Sequence, residues 1–134
     1  MRDISRARLS LLIVEDDKPV LDVFGAMLPR KFPQTDIHLA VDGEMGLGLF
    51  KEYVPDIVVT DIKMPKMDGV EMAEKIKAIK ADTRIIVMTA FSDRINVAKF
   101  RSVGISHYLL KPVNFGEMVT AIARLVEEIQ SQRE

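Results

Sequence analysis

Short apolar blocks of four to six residues alternate along the whole chain with longer stretches of helical period, and that alternation points to βαβ units around a parallel sheet. Residues 9–14 predict a first strand. A helix follows Lys18-Pro19, with Val20, Val23, Phe24, Met27 and Leu28 at helical spacing and Pro19 suited to its first turn. Residues 36–40 predict a weaker second strand with Ile37 and Leu39 inward, and residues 43–53 a helix. Gly46 and Gly48 each cost this helix about 0.8–1 kcal/mol relative to alanine, so it should be the least secure. Residues 57–60, Ile-Val-Val-Thr, are β-branched throughout and sit between Pro55-Asp56 and Asp61, which predicts a central strand buried on both faces. A turn over 64–69 leads into a helix over 70–79, carried by Met72, Ala73, Ile76 and Ile79. A strand over 84–88, a helix over 93–103 with Ser92 as N-cap, and a strand over 107–110 come next. Asn114 caps a final helix whose apolar stripe is Phe115, Met118, Val119, Ile122, Ala123, Val126 and Ile129.

The 134 residues suit one domain. Residues 1–8 read as an N-terminal tail, 9–130 as the folded domain, and 131–134 as a C-terminal tail or the start of a linker. A formal net charge of −1 supplies no global attraction for nucleic acid or an anionic membrane, so partners must be recognised locally. The absence of cysteine excludes disulfides, thiolate metal sites and cysteine nucleophiles, and fits a reducing compartment. No run approaches the ~20 apolar residues of a membrane span. The charged start leads into Glu15-Asp16-Asp17 without a signal-peptide core, so a cytoplasmic location is expected.

Four of the expected strands end in polar residues suited to one phosphate site: Glu15 and Asp16 after the first, Asp61 after the third, Thr89 after the fourth and Lys111 after the fifth. In an open parallel sheet those ends share one edge, where such folds place ligands. Clustered oxygen donors without histidine or cysteine favour a hard cation, and Mg²⁺ is the usual choice beside phosphate. A strand-end carboxylate such as Asp61 can act as a nucleophile toward phosphorus, and the Lys111 ammonium can hold the added charge. Taken singly, each has a plainer role: a helix-dipole acid, a turn cap, a strand-forming threonine, a solvated lysine. Only their joint placement is specific.

The motifs Val14-Glu15-Asp16-Asp17, Thr60-Asp61-Ile62-Lys63-Met64-Pro65 with Met67-Asp68-Gly69, Met88-Thr89-Ala90 and Tyr108-Leu109-Leu110-Lys111-Pro112 together resemble the response-regulator receiver domain of two-component signalling, chemotaxis-regulator-like, from about residue 9 to 129. The resemblance implies a doubly wound five-stranded parallel sheet, flavodoxin-like (βα)5, with strand order 2-1-3-4-5. It implies that Asp61 is the phosphoacceptor and that Glu15 and Asp16 form the acidic pair. Mg²⁺ would be bound by Asp16, Asp61 and the backbone carbonyl of Lys63, with Glu15 acting through a metal-bound water. Thr89 and Tyr108 would be the switch residues. The helix over 93–103, the fifth strand and the last helix would form the output surface. The implied partners are a histidine kinase or phosphotransfer protein and an output partner or effector domain, with the chain a monomer or a phosphorylation-dependent dimer. Neither direct nucleic-acid binding nor membrane contact is expected of this segment, which would act alone or as the receiver part of a larger response regulator.

Lys63 and Phe91 depart from the commoner pattern; an ammonium able to pair with Glu15 and a bulky ring near Thr89 predict slow autodephosphorylation. A phosphatase of the haloacid-dehalogenase type also uses a strand-end aspartate, but it needs a second aspartate two residues later as general acid, and Lys63 stands there. A flavodoxin-like flavin carrier shares the fold, yet a triple-acid loop has the wrong sign for a flavin phosphate. His38 and His107 have no partner at metal or phosphotransfer spacing and read as surface or rim residues.

Overall fold

The computed structural model describes residues 8–90, 98 and 102–133. Five strands, β1 (Leu9–Val14), β2 (Thr35–Ala40), β3 (Ile57–Asp61), β4 (Arg84–Thr89) and β5 (His107–Leu110), form one parallel sheet in the order β2-β1-β3-β4-β5. The described helices are α1 (Lys18–Lys31), α2 (Gly43–Tyr53), α3 (Gly69–Ile79) and α4 (Phe115–Arg133). This is the doubly wound flavodoxin-like architecture. The helix expected over 93–103, its Ser92 cap and Phe91 lie largely outside the described residues.

Strand alternation divides the core into two layers. Leu11 and Ile13 of β1 and Ile57 and Val59 of β3 point to one face, where Leu21, Phe24 and Leu28 of α1 and Met118, Ile122 and Leu125 of α4 cover them. Leu12, Val14, Val58, Ile85 and Val87 point to the other, under Leu47 and Phe50 of α2 and Met72, Ala73 and Ile76 of α3. All five residues of β3 are buried, as expected of a central parallel strand covered by helices on both faces.

Several details differ from the sequence expectations, among them Val23, Met27 and Ile79, which are exposed rather than on the buried faces of their helices. Asp61 and Thr89 are the last residues of their strands rather than the first residues beyond them. Ala121 and Leu125 of α4 are buried although they lie off the expected stripe, because a helix lying along a sheet beside α1 buries a wider arc than one narrow seam. The two glycines of α2 differ in kind. A Cβ at Gly46 would fall 2.9 Å from Val14 Cγ2 and 3.0 Å from Met72 Sδ, whereas one at Gly48 would meet nothing within 4 Å. Gly46 thus allows close helix–strand packing, and Gly48 only weakens the helix.

The sheet's register fixes where the strands finish. Val14 pairs with Thr60, Asp61 with Met88, and Thr89 with Leu110, so the residues following β1 and β5 and the last residues of β3 and β4 meet on one edge. Among the described residues no helix is long and apolar enough to cross a membrane.

Candidate phosphate and metal site

Glu15 is held where it is because its own N–H continues the β1–β2 ladder, donating to Ala40 O at 3.0 Å. Its side chain is buried, and Oε2 accepts the Asp17 N–H at 3.0 Å. Asp17 itself caps α1, accepting from the Val20 N–H at 3.4 Å, while Asp16 between them is exposed. The acidic triplet therefore splits into one buried carboxylate, one exposed carboxylate and one helix cap.

Asp61, also buried, ends the central strand. Its Oδ1 accepts the Ile62 N–H at 2.8 Å and its Oδ2 pairs with Lys111 Nζ at 2.5 Å. Lys111 is aimed by its backbone, whose N–H donates to Thr89 O at 2.8 Å just before the cis bond to Pro112. Its ammonium also lies 3.9 Å from Glu15 Oε1. Carboxylate oxygens of Glu15, Asp16 and Asp61 lie within 4.8 Å of one another.

Lys111 thus faces Asp61 and Glu15 directly, and the charge of Asp16 acts on it as well. Burial pushes the Glu15 carboxyl up to about 7, with the Asp61 charge adding to the rise and the Asp17 N–H and Lys111 opposing it. Burial pulls the Lys111 ammonium down, but its hydrogen bond to Asp61 and the charges of Asp61, Glu15 and Asp16 outweigh that and leave it above its ordinary value. A set of hard oxygen donors, one of them strained by burial and excess negative charge, fits a divalent cation such as Mg²⁺.

Thr89 is buried at the end of β4, and its hydroxyl donates to the Ala90 carbonyl at 3.2 Å. Tyr108 is half-buried and packs on the α2/α3 side of the core. Lys63, two residues past Asp61, is exposed. Glu15, Asp16, Asp61 and Lys111 are therefore gathered into one cluster, with Thr89 on the neighbouring strand end and Tyr108 within β5. A cavity of about 330 Å³ opens beside Glu15 and Lys111, walled by Val20, Phe24 and Pro112.

Two glycines support this edge in ways that residue spacing does not reveal. Gly69 donates its N–H to Ile62 O at 2.7 Å, and a Cβ there would lie 2.2 Å from Asp61 O. A Cβ at Gly43 would lie 2.4 Å from Met67 O. The one sequence signal is the turn-like Met67-Asp68-Gly69, in which Asp68 also caps α3 by accepting the Glu71 N–H at 2.9 Å.

The sequence profile of the response regulator receiver domain matches residues 11–123. The chain belongs to the response regulator receiver domain family. It is 34% identical over 120 residues to the transcriptional regulatory protein PdtaR of Mycobacterium tuberculosis, covering 90% of this chain and 58% of that protein. With the probable C4-dicarboxylate response regulator DctR of Bacillus subtilis it shares 31% over 121 residues, covering 90% of this chain and 54% of that one. The receiver domain thus spans little more than half the length of these curated relatives. Among solved structures, an N-terminal domain of an uncharacterized protein from Wolinella succinogenes is 35% identical with a TM-score of 0.85, over 94% of this chain and 99% of that one. A CheY-like receiver domain protein from Methanospirillum hungatei is 26% identical with a TM-score of 0.84, over 92% and 98%.

Proposed function

We propose that this receiver domain accepts a phosphoryl group on Asp61 from the phosphohistidine of a histidine kinase or phosphotransfer protein. The observation that carries the reading is the buried Asp61 carboxylate at the end of the central strand, paired with Lys111 and clustered with Glu15 and Asp16. An Asp61 oxygen attacks phosphorus, the phosphorus–nitrogen bond breaks, and the imidazole leaves with its bonding pair and takes a proton from solvent. Lys111 then follows the charge from the carboxylate to the phosphoryl oxygens. Glu15, Asp16, Asp61 and the Lys63 carbonyl would hold Mg²⁺, which when bound would neutralise charge on the transferring group.

Thr89 is the first responder in this reading. Its hydroxyl gives up the Ala90 carbonyl and donates to a phosphoryl oxygen, and Tyr108, only half-buried, moves into the space released. Such a shift is a local charge event biasing a two-state element, and the output surface is built from the region over 93–103, β5 and α4. The domain acts alone or joined to an effector, in the cytoplasm. Lys63 and Phe91 slow its autodephosphorylation, so a Lys63→Ala, Phe91→Ala variant should lose the phosphoryl group faster.

Incubation with a small-molecule phosphodonor and Mg²⁺, followed by intact-mass measurement, tests the assignment. One phosphoryl group should appear on the wild type and none on Asp61→Asn; equal labelling of both would overturn it.

A further inference from the structure

The opposite, amino-terminal edge of the sheet carries a second charged pocket, of about 230 Å³, lined by Asp56, Lys80, Asp82, Arg84, Gln132 and Arg133 together with Ile129. Its two carboxylates are already matched. Lys80 Nζ pairs with Asp82 Oδ1 at 2.8 Å, and Arg133 Nη2 with Asp56 Oδ1 at 2.6 Å, while Asp56 Oδ2 accepts the Ser10 N–H at 2.9 Å.

Arg84 is left over. Its side chain is only 19% exposed, Nη2 donates to the neutral amide oxygen of Gln132 at 3.1 Å, and the nearest carboxylate, Glu128 Oε1, stands 3.9 Å from Nε, beyond hydrogen-bond reach. Among the described residues the buried Nε–H has no hydrogen-bond partner. A mostly buried guanidinium whose charge is met only by a neutral amide oxygen and a carboxylate at 3.9 Å is costly to keep unless an anion meets it.

We infer that this pocket binds a small tetrahedral oxyanion of the phosphate or sulfate class, with Arg84 as its principal ligand and Lys80 beside it. The volume accommodates such an ion with a few waters and is too small for a whole nucleotide. Gln132 and Arg133, with Glu128 beside them, lie beyond the residues that the family profile matches, whereas Asp56, Lys80, Asp82 and Arg84 lie within them. Bound there, an anion would tie α4 to the base of β4, on the edge remote from Asp61, and its occupancy is independent of the phosphoacceptor reading.

Sulfate, which cannot phosphorylate Asp61, is the probe. Titrated against chloride at matched ionic strength and followed by amide chemical shifts, it should give saturable changes at Asp56, Arg84 and Gln132, at least tenfold weaker in Arg84→Gln and severalfold weaker in Lys80→Gln. Glu128→Gln should bind sulfate more tightly than wild type, because a competing carboxylate is gone. AMP should bind more weakly than inorganic phosphate; the reverse order would make a nucleotide the ligand and overturn the assignment to a free ion. The inference is also overturned by shifts no larger than with chloride, by shifts confined to Glu15, Asp61 and Lys111, or by loss of stability in Glu128→Gln without any gain in sulfate affinity, which would make Glu128 the true partner of Arg84.

Discussion

The central strand β3 has an aspartate at its last position and another just before its first, and the two live in opposite electrostatic conditions. Asp56, at the amino edge, is satisfied one-to-one: an arginine on one oxygen and a backbone N–H on the other. Asp61, at the carboxyl edge, shares Lys111 with Glu15, whose carboxyl is pushed up to about 7 chiefly by burial, with the Asp61 charge adding to the rise. A matched pair holds the structure together, whereas the proposed function would have the acidic cluster take up a cation and pass charge onward. The two edges of one strand thus divide stability from chemistry.

The sharpest way to break this comparison is to neutralise each aspartate in turn. Asp61→Asn should abolish phosphorylation while changing unfolding free energy by no more than about 1 kcal/mol, since it relieves negative charge as it loses a lysine contact. Asp56→Asn should leave phosphorylation intact and cost about 1–3 kcal/mol, because it strands Arg133 against a half-buried site. Denaturant unfolding with parallel labelling assays would separate them; equal stability losses would erase the distinction.

Gly69→Ala extends the comparison to the backbone. Its Cβ would collide with Asp61 O, so we expect a loss of about 1–3 kcal/mol and slower labelling together, the signature of a displaced strand end. Mg²⁺ at tenfold over its dissociation constant should stabilise the wild type by about 1.4 kcal/mol and Asp16→Asn by less, read as a shift in melting temperature. The smallest effect distinguishes two residues of one helix: Gly48→Ala should stabilise by about 0.5–1 kcal/mol, and Gly46→Ala should destabilise, because only the latter meets Val14 and Met72.

Much of this was legible in the sequence, for physical reasons. β-branched blocks such as residues 57–60 can only be covered strands, and their fixed periodicity places Glu15, Asp61, Thr89 and Lys111 on one edge before any coordinates are known. What periodicity carries poorly is close approach. Gly43, Gly46 and Gly69 look like helix weakeners or turn residues in the sequence, and only packed neighbours reveal that a single methyl group would not fit. Ala121 and Leu125 were missed for a related reason, since the width of a buried arc depends on what lies beside the helix. The ion pair from Arg133 to Asp56 joins residues 77 apart in sequence, beyond the reach of any local pattern.

A crystal structure of the domain with Mg²⁺ and beryllofluoride tests most directly whether Asp61 is the centre of a cation-assisted phosphoryl site. The prediction is a tetrahedral beryllofluoride on an Asp61 carboxylate oxygen, contacted by Lys111 Nζ and the Thr89 hydroxyl, with the metal among Asp16, Asp61 and the Lys63 carbonyl. An adduct at another residue, or metal and fluoride bound apart from Asp61, would contradict it.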